Sequence, residues 1–566
     1  VNGLDGGSIL VGIDYRPADG LLYGLSRDLD NFRIYTIDTT TGDATAIGAA
    51  AVQVTGTTTA VKFGVDFNPA VDRLRVITDL PSDGAGGNTN NFRMNPITGA
   101  LVAIDTDLDF SALPNPTLEP PEVTVAYTNN DTDPNTGTDL FGITSGDNSF
   151  VNHSIPNAGV LTGVGALGVD TGVNTGLDIF GPTNTAVAIL DVAAGASLYT
   201  IDILTGDATL VGLVGDGTLE FIDVAVSPAE QAPLLVGGST NGQLLRYDPA
   251  ASQYPTTPTA TVTAFAGSTA NVRTTTADVN GDGTSDLIAV TGPGVPIRVT
   301  VISGVDNTTV LVAPFDPFGG NFTGGGFVSA ADIDNDGRAE FIVSPDQGGG
   351  PRVSIFSRAA DGTLNTRANF LGIDDPNFRG GVRTAIGDVN NDGTPDLAVA
   401  AGFLGGPRTA IFNGTTLFAT PTRLINDFFA FPGSDAVTLR NGAFVAAGDV
   451  NGDGFDDLIF GGGPAPRVFI LSGQLISAGD VAGAQAAPIG NFFVAGSTSD
   501  RGGVRVSAQD IDGDNRDDVV VGSGAGSSAK VRAYLGANFT TAAEPAAFQD
   551  LTVFGGATLA DGVYVG

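Results

Sequence analysis

Short apolar runs of four to six residues, separated by Gly, Asn, Asp and Thr, repeat along the whole chain. In residues 1–230 they alternate with period two: Gly12-Ile13-Asp14-Tyr15-Arg16-Pro17, then Leu22-Tyr23-Gly24-Leu25, then Ile34-Tyr35-Thr36-Ile37-Asp38 and the turn Thr41-Gly42-Asp43-Ala44-Thr45. The set returns with drift. Gly64-Val65-Asp66-Phe67-Asn68-Pro69 opens a second unit, Val123-Thr124-Val125-Ala126-Tyr127 lies in a third, and Leu198-Tyr199-Thr200-Ile201-Asp202 closes a fourth. Such alternation predicts antiparallel strands in four-stranded blades. Phe221-Ile222-Asp223-Val224-Ala225-Val226-Ser227-Pro228 reads as the first strand of a fifth blade whose other strands do not follow. A small propeller of about five blades, incomplete at its N-terminal side, is expected, the missing strands lying upstream of Val1 or coming from another molecule.

Residues 231–566 carry a stricter repeat. Asp278-Val279-Asn280-Gly281-Asp282-Gly283-Thr284-Ser285-Asp286 recurs from Asp332, Asp388, Asp449 and Asp510, at spacings of 54, 56, 61 and 61 residues. That period is the size of a propeller blade. Around one copy, Phe444-Val445-Ala446, Leu458-Ile459-Phe460, Arg467-Val468-Phe469-Ile470 and Asn491-Phe492-Phe493-Val494 supply four strands. Five complete blades follow. A sixth has its second, third and fourth strands at Leu234–Gly238, Leu244–Tyr247 and Val262–Phe265, and its first is predicted at Gly562–Gly566, which closes the ring. The fold class is therefore all-β, with two propeller domains in tandem, 1–230 and 231–566, and very little helix.

Each nine-residue segment sets side-chain oxygens at positions 1, 3, 5 and 9, with Gly at position 6 in four of five copies, which is the front of a calcium loop. The candidate ligands are Asp278, Asn280, Asp282, Thr284 and Asp286; Asp332, Asp334, Asp336, Arg338 and Glu340; Asp388, Asn390, Asp392, Thr394 and Asp396; Asp449, Asn451, Asp453, Phe455 and Asp457; and Asp510, Asp512, Asp514, Arg516 and Asp518. The residue at position 7 (Thr284, Arg338, Thr394, Phe455, Arg516) would contribute its backbone carbonyl. Strand-like sequence such as Asp286-Leu287-Ile288-Ala289-Val290 follows each loop, so the helix-flanked EF-hand is excluded. Metal-free Asx turns explain one or two copies but not the same acid spacing five times. Asn515 replaces the turning Gly in the last copy and Glu340 the final Asp in the second. About five structural calcium ions are expected.

Ala277-Asp278-Val279-Asn280-Gly281-Asp282-Gly283 with Asp286-Leu287-Ile288 resembles the FG-GAP or VCBS repeats of integrin alpha-type propellers, over residues 232–566. The resemblance implies a propeller whose calcium loops join the first two strands of each blade, often in adhesion or surface proteins. The N-terminal half resembles the bacterial domain of unknown function 4394 family, which supports the fold and brings no activity.

Composition narrows the function classes. The formal net charge is −37, with two lysines, Lys62 and Lys530, which disfavours a nucleic-acid surface and makes cations the natural partners. There is no Cys, and the one histidine, His153, reads as a loop residue, so thiol chemistry is excluded and no acid-base catalyst stands out. No apolar run reaches the ~20 residues a membrane helix needs. Arg298, Arg352, Arg408, Arg467 and Arg532 recur in third strands and are read as inter-blade ion pairs or hydrogen-bonding struts rather than as a substrate-binding ring. Trp, the usual platform for sugar rings, is absent. The expected protein is a non-enzymatic, secreted or cell-surface structural or adhesive molecule stiffened by calcium, a subunit of a surface layer, matrix or filament that self-associates or binds a surface partner. A calcium-dependent glycan-binding module is the alternative, and a secreted hydrolase the remote one.

Overall fold

The computed structural model divides into two compact units, Val1–Glu230 and Gln231–Gly566. It describes all residues except 40, 81–87, 110–121, 130–136, 181–183, 216, 218–220, 222, 228–231, 250–252, 436–438, 464 and 515, and the side chains of 122 and 123. Asn515, Ile222 and Pro228 to Gln231 therefore lie outside the described residues.

The described residues of the N-terminal unit form four antiparallel four-stranded meanders, one with an added two-residue strand. Their first strands are Ile9–Tyr15, Phe63–Asn68, Glu122–Tyr127 and Gly176–Phe180. Apolar alternation on facing sheets makes the cores: Phe32, Phe63 and Phe92 meet edge to face between the first two, and Phe141, Phe150, Ile179 and Tyr199 pack between the last two. His153 sits in the strand Ser149–Ile155 at 3 % exposure, so the expectation of a loop residue is corrected: it occupies an inward strand position. The segment read as a fifth blade's first strand is also different. None of its described residues is in a strand, yet it lies against the first strands of the fourth and first sheets: Asp223 Oδ2 accepts from Ile13 N–H at 3.1 Å and Asp178 accepts from Val226 N–H. Here carboxylates take backbone amides, as a strand ladder does elsewhere.

In the C-terminal unit the sequence period becomes five four-stranded sheets, whose first strands are Val272–Ala277, Gly326–Ala331, Val382–Gly387, Ala443–Gly448 and Val504–Gln509. The second strand of each is covered on both faces by neighbouring sheets, which is why it reads as a continuous apolar run; Leu287 to Val290 are fully buried. A sixth sheet is assembled from both ends of the unit. Leu234–Gly237 pairs with Gln243–Tyr247 on one side and antiparallel with Tyr564–Val565 on the other, Val236 opposite Val565. Leu235 N–H donates to Gly566 O at 2.8 Å. Gly522 of the fifth sheet abuts Val563, and Gly566 abuts Thr274 of the first. Two short α-helices, Gly473–Ser477 and Val481–Ala486, are inserted between the last two strands of the fourth blade.

Candidate metal centre

All five acidic loops join the first and second strands of a blade. In each, the position-1 carboxylate folds the loop around itself by collecting backbone N–H groups. Asp278 Oδ1 accepts from Gly281 and its Oδ2 from Gly283, both at 2.7 Å. Asp449 does the same with Gly452 and Gly454 at 2.7 Å. Asp332 and Asp388 take Gly337 and Gly393 at 2.8 and 2.7 Å, and Asp510 takes Gly513 at 2.7 Å. The position-5 acids Asp282, Asp336, Asp392, Asp453 and Asp514 each accept from the N–H of position 7, at 2.9 to 3.0 Å.

This winding needs two left-handed residues. Position 6 has φ of +82° or +83° at Gly283, Gly337, Gly393 and Gly454. Position 4 is also left-handed, and is filled by Gly281, Asn335, Asn391, Gly452 and Gly513, the residue types that tolerate it. The sequence reading used position 6 and overlooked position 4.

At position 9, Asp286, Glu340, Asp396, Asp457 and Asp518 are at most 1 % exposed. Four of them reach to the end of the blade's third strand, accepting from Gly304, Gly414, Gly473 and Gly536 N–H at 2.8 to 3.0 Å. Glu340 instead meets Arg367 at 3.2 Å, and the same arginine holds Asp334 at 2.7 Å. Burial pushes Asp286 up to about 6, Glu340 and Asp396 to about 7, and Asp457 and Asp518 to about 8. At position 3, Asn280, Asn390 and Asn451 donate to the position-5 carboxylate, at 2.8 to 3.1 Å.

These residues fit a calcium ion. Asp332, Asp334 and Asp336, and likewise Asp510, Asp512 and Asp514, each bring one oxygen within 4.8 Å of the others. Asp396 Oδ2 and Asn451 Oδ1 are buried without a hydrogen-bond partner. Every donor is a hard oxygen, as calcium prefers.

Neighbouring loops are also tied together. Arg338 donates to the Asn280 carbonyl and Asn335 to the Gly393 carbonyl. Asp456 Oδ2 accepts from Asp388 N–H at 2.7 Å, and Asp517 Oδ2 from Asp449 N–H at 3.0 Å. The five loops therefore form a connected arc along one end of the blades.

The third-strand arginines form ion pairs and hydrogen bonds, as expected, but mostly within a blade rather than between blades. Arg298, Arg408 and Arg532 pair with Asp316, Asp427 and Asp550, and Arg352 donates to Asn369, all near the outer strand of the same blade; Arg467 adds Asp435, between blades, to its own Asn491. Third and fourth strands are hydrogen-bonded neighbours, so the short reach wins.

A second acidic group escaped the sequence reading. Asp14, Asp66 and Asp178 in the N-terminal unit place oxygens within 4.8 Å of one another, and all three are buried. The signal was present in the repeats Gly12-Ile13-Asp14, Gly64-Val65-Asp66 and Gly176-Leu177-Asp178.

Residues 1–225 match the model of a domain of unknown function (DUF4394), and residues 278–343 and 332–399 match the FG-GAP-like repeat. No curated protein matches the chain. Among solved structures, it is similar to an Agrocybe aegerita lectin that recognises non-reducing terminal N-acetylglucosamine (19 % identity, 58 % of this chain and 79 % of that one, TM-score 0.34). It is also similar to rhamnogalacturonan lyase YesW (13 %, 76 % and 68 %, TM-score 0.28) and to the Dos1 propeller (10 %, 82 % and 91 %, TM-score 0.26).

Proposed function

From a C-terminal unit built of FG-GAP-like repeats, we propose a calcium-stiffened, non-catalytic scaffold that works outside the cell, at a surface or in a matrix, layer or filament. The observation that carries this reading is the common winding of five loops around a position-1 aspartate, with acids or amides at positions 3 and 5 and a buried acid at position 9. The seventeen acids at those four positions repel one another without cations. Bound calcium supplies the compensating charge, and the carboxylates of Asp278, Asp332, Asp388, Asp449 and Asp510 with their partners would hold it. Because adjacent loops are hydrogen-bonded to each other, filling one loop stiffens the next blade. Affinity in the ~10⁻⁴ to 10⁻³ M range of extracellular modules suits this role.

The test is a thermal melt with calcium and with chelator, accompanied by size-exclusion chromatography and negative-stain imaging. A large loss of melting temperature on chelation, with assemblies that form only in calcium, supports the reading. An unchanged melt refutes the calcium assignment, and monodisperse particles in calcium refute the assembly role.

A further inference from the structure

The buried acids of the N-terminal unit lie where the first strands of its sheets converge. Asp14, Asp66 and Asp178 come from the first strands of the first, second and fourth sheets, and Asp223 from the irregular segment beside them. Asp14, Asp66 and Asp178 each stand two residues beyond a close-packed glycine. A Cβ on Gly12 would fall 2.4 Å from Val65 Cγ2, one on Gly64 2.8 Å from Thr124 Cα, and one on Gly176 2.4 Å from Val224 N. The glycines let these backbones approach, and that approach brings the carboxylates of Asp14, Asp66 and Asp178 together.

Each acid spends part of its bonding capacity on the next element. Asp14 Oδ2 accepts from Phe67 N–H at 2.6 Å, Asp66 from Tyr127 N–H, Asp178 from Val226 N–H, and Asp223 from Ile13 N–H at 3.1 Å. What remains is unmatched. Asp14 Oδ1 and Asp66 Oδ1 have no hydrogen-bond partner, although their residues are only 2 % and 1 % exposed. The charged neighbours that act most strongly on Asp66 are the other three acids, and those that act most strongly on Asp14 are Asp178 and Asp223. Arg75, opposite Asp66 across the second sheet, gives its guanidinium to Tyr127, Asn91, Asn157 and Asp105, and a set of buried carboxylates with two orphaned oxygens is costly unless a cation completes it.

We propose that Asp14, Asp66 and Asp178, with Asp223 beside them, hold one calcium ion that pins the N-terminal unit together at its centre. All donors are hard oxygens on separate backbone segments, so the ion joins the first, second and fourth sheets and the segment at 223. Calcium suits the site better than magnesium, because it accepts irregular carboxylate cages and gives up its water more readily.

The test uses the full chain at saturating calcium, with bound metal counted by mass spectrometry. Asp66→Asn and Asp14→Asn are each expected to bind one equivalent fewer than the unsubstituted protein; an unchanged count overturns the proposal and leaves a group of acids that share protons. Should neither variant fold, a long-wavelength anomalous map from calcium-grown crystals of the unsubstituted protein decides. A peak in contact with Asp14, Asp66 and Asp178 upholds the site, and a map without one there overturns it. Peaks in the C-terminal loops are scored separately, so either assignment can fail alone.

Discussion

The guanidinium of Arg383 stacks 3.9 Å from the ring centroid of Phe444, and each lies on the first strand of its own blade. The pair is one step of a six-membered alternation: Arg273, Phe327, Arg383, Phe444, Arg505 and Tyr564, one from each blade in order, with every arginine over both neighbouring rings at 3.9 to 5.5 Å. Desolvated cation–π contacts contribute about 2 kcal/mol or more each. Phe444→Leu removes the ring that Arg383 and Arg505 share. It should lower stability by about 2 to 4 kcal/mol in urea, whereas Phe429→Leu, at a half-exposed edge position, should change it by less than about 0.5 kcal/mol.

Gly283 turns its loop at φ +82°, and nothing lies within 4 Å of where a Cβ would be. Gly283→Ala therefore tests backbone conformation alone. A loss of about 1 to 2 kcal/mol is expected, with a smaller loss for Gly283→Asn, measured by urea titration in calcium. Equal losses for both would show that the turn is not what the glycine provides.

The buried position-9 acids give a pH signature. Their pKa values in the folded chain, about 6 to 8, lie above those of the unfolded chain, so between pH 4 and 8 the metal-free fold binds more protons than the unfolded state. Stability of chelated protein should be highest below pH 4 to 5 as far as these groups are concerned, and should fall as pH rises toward 8. In calcium the ionised carboxylates are compensated and the fall should vanish. Melting temperatures at pH 5 and pH 8.5, with and without chelator, test this; the same slope in both would contradict it.

Removing Val563 to Gly566 takes away the inner strand of the sixth sheet. Val563, Tyr564 and Val565 are at most 8 % exposed. Burial of such side chains is worth about 1.5 to 3 kcal/mol each. The shortened chain should lose at least about 4 kcal/mol and become susceptible to proteolysis near Leu234, as urea titration and limited digestion would show.

The blade period, the acid spacing and the split sixth sheet were legible because each is written in local sequence: a turn residue, a carboxylate or a period-two run at a fixed offset. Gly562 to Gly566 could be matched with Leu234 to Val236 because a ring leaves one sheet short of a strand. Partners that depend on which side chains converge were not legible. Arg273, Arg383 and Arg505 look like ordinary strand arginines until alternate blades set them between rings. Asp14, Asp66 and Asp178 stand 52 and 112 residues apart and look like turn-flanking acids. His153 was misread because polar neighbours, Asn152 and Ser154, hid its inward strand position.

Pairing Val236 with Val565 also bears on how the C-terminal unit folds. Five of its sheets are local meanders and can form as the chain is made, but the sixth waits for residues more than three hundred positions downstream. Until they arrive, the fully buried strand Leu234–Gly237 has one bare edge, open to pairing with another chain. Contacts of such sequence separation are slow to form. The last step of folding is thus the one most exposed to intermolecular error, and its rate sets how long each new molecule spends at risk.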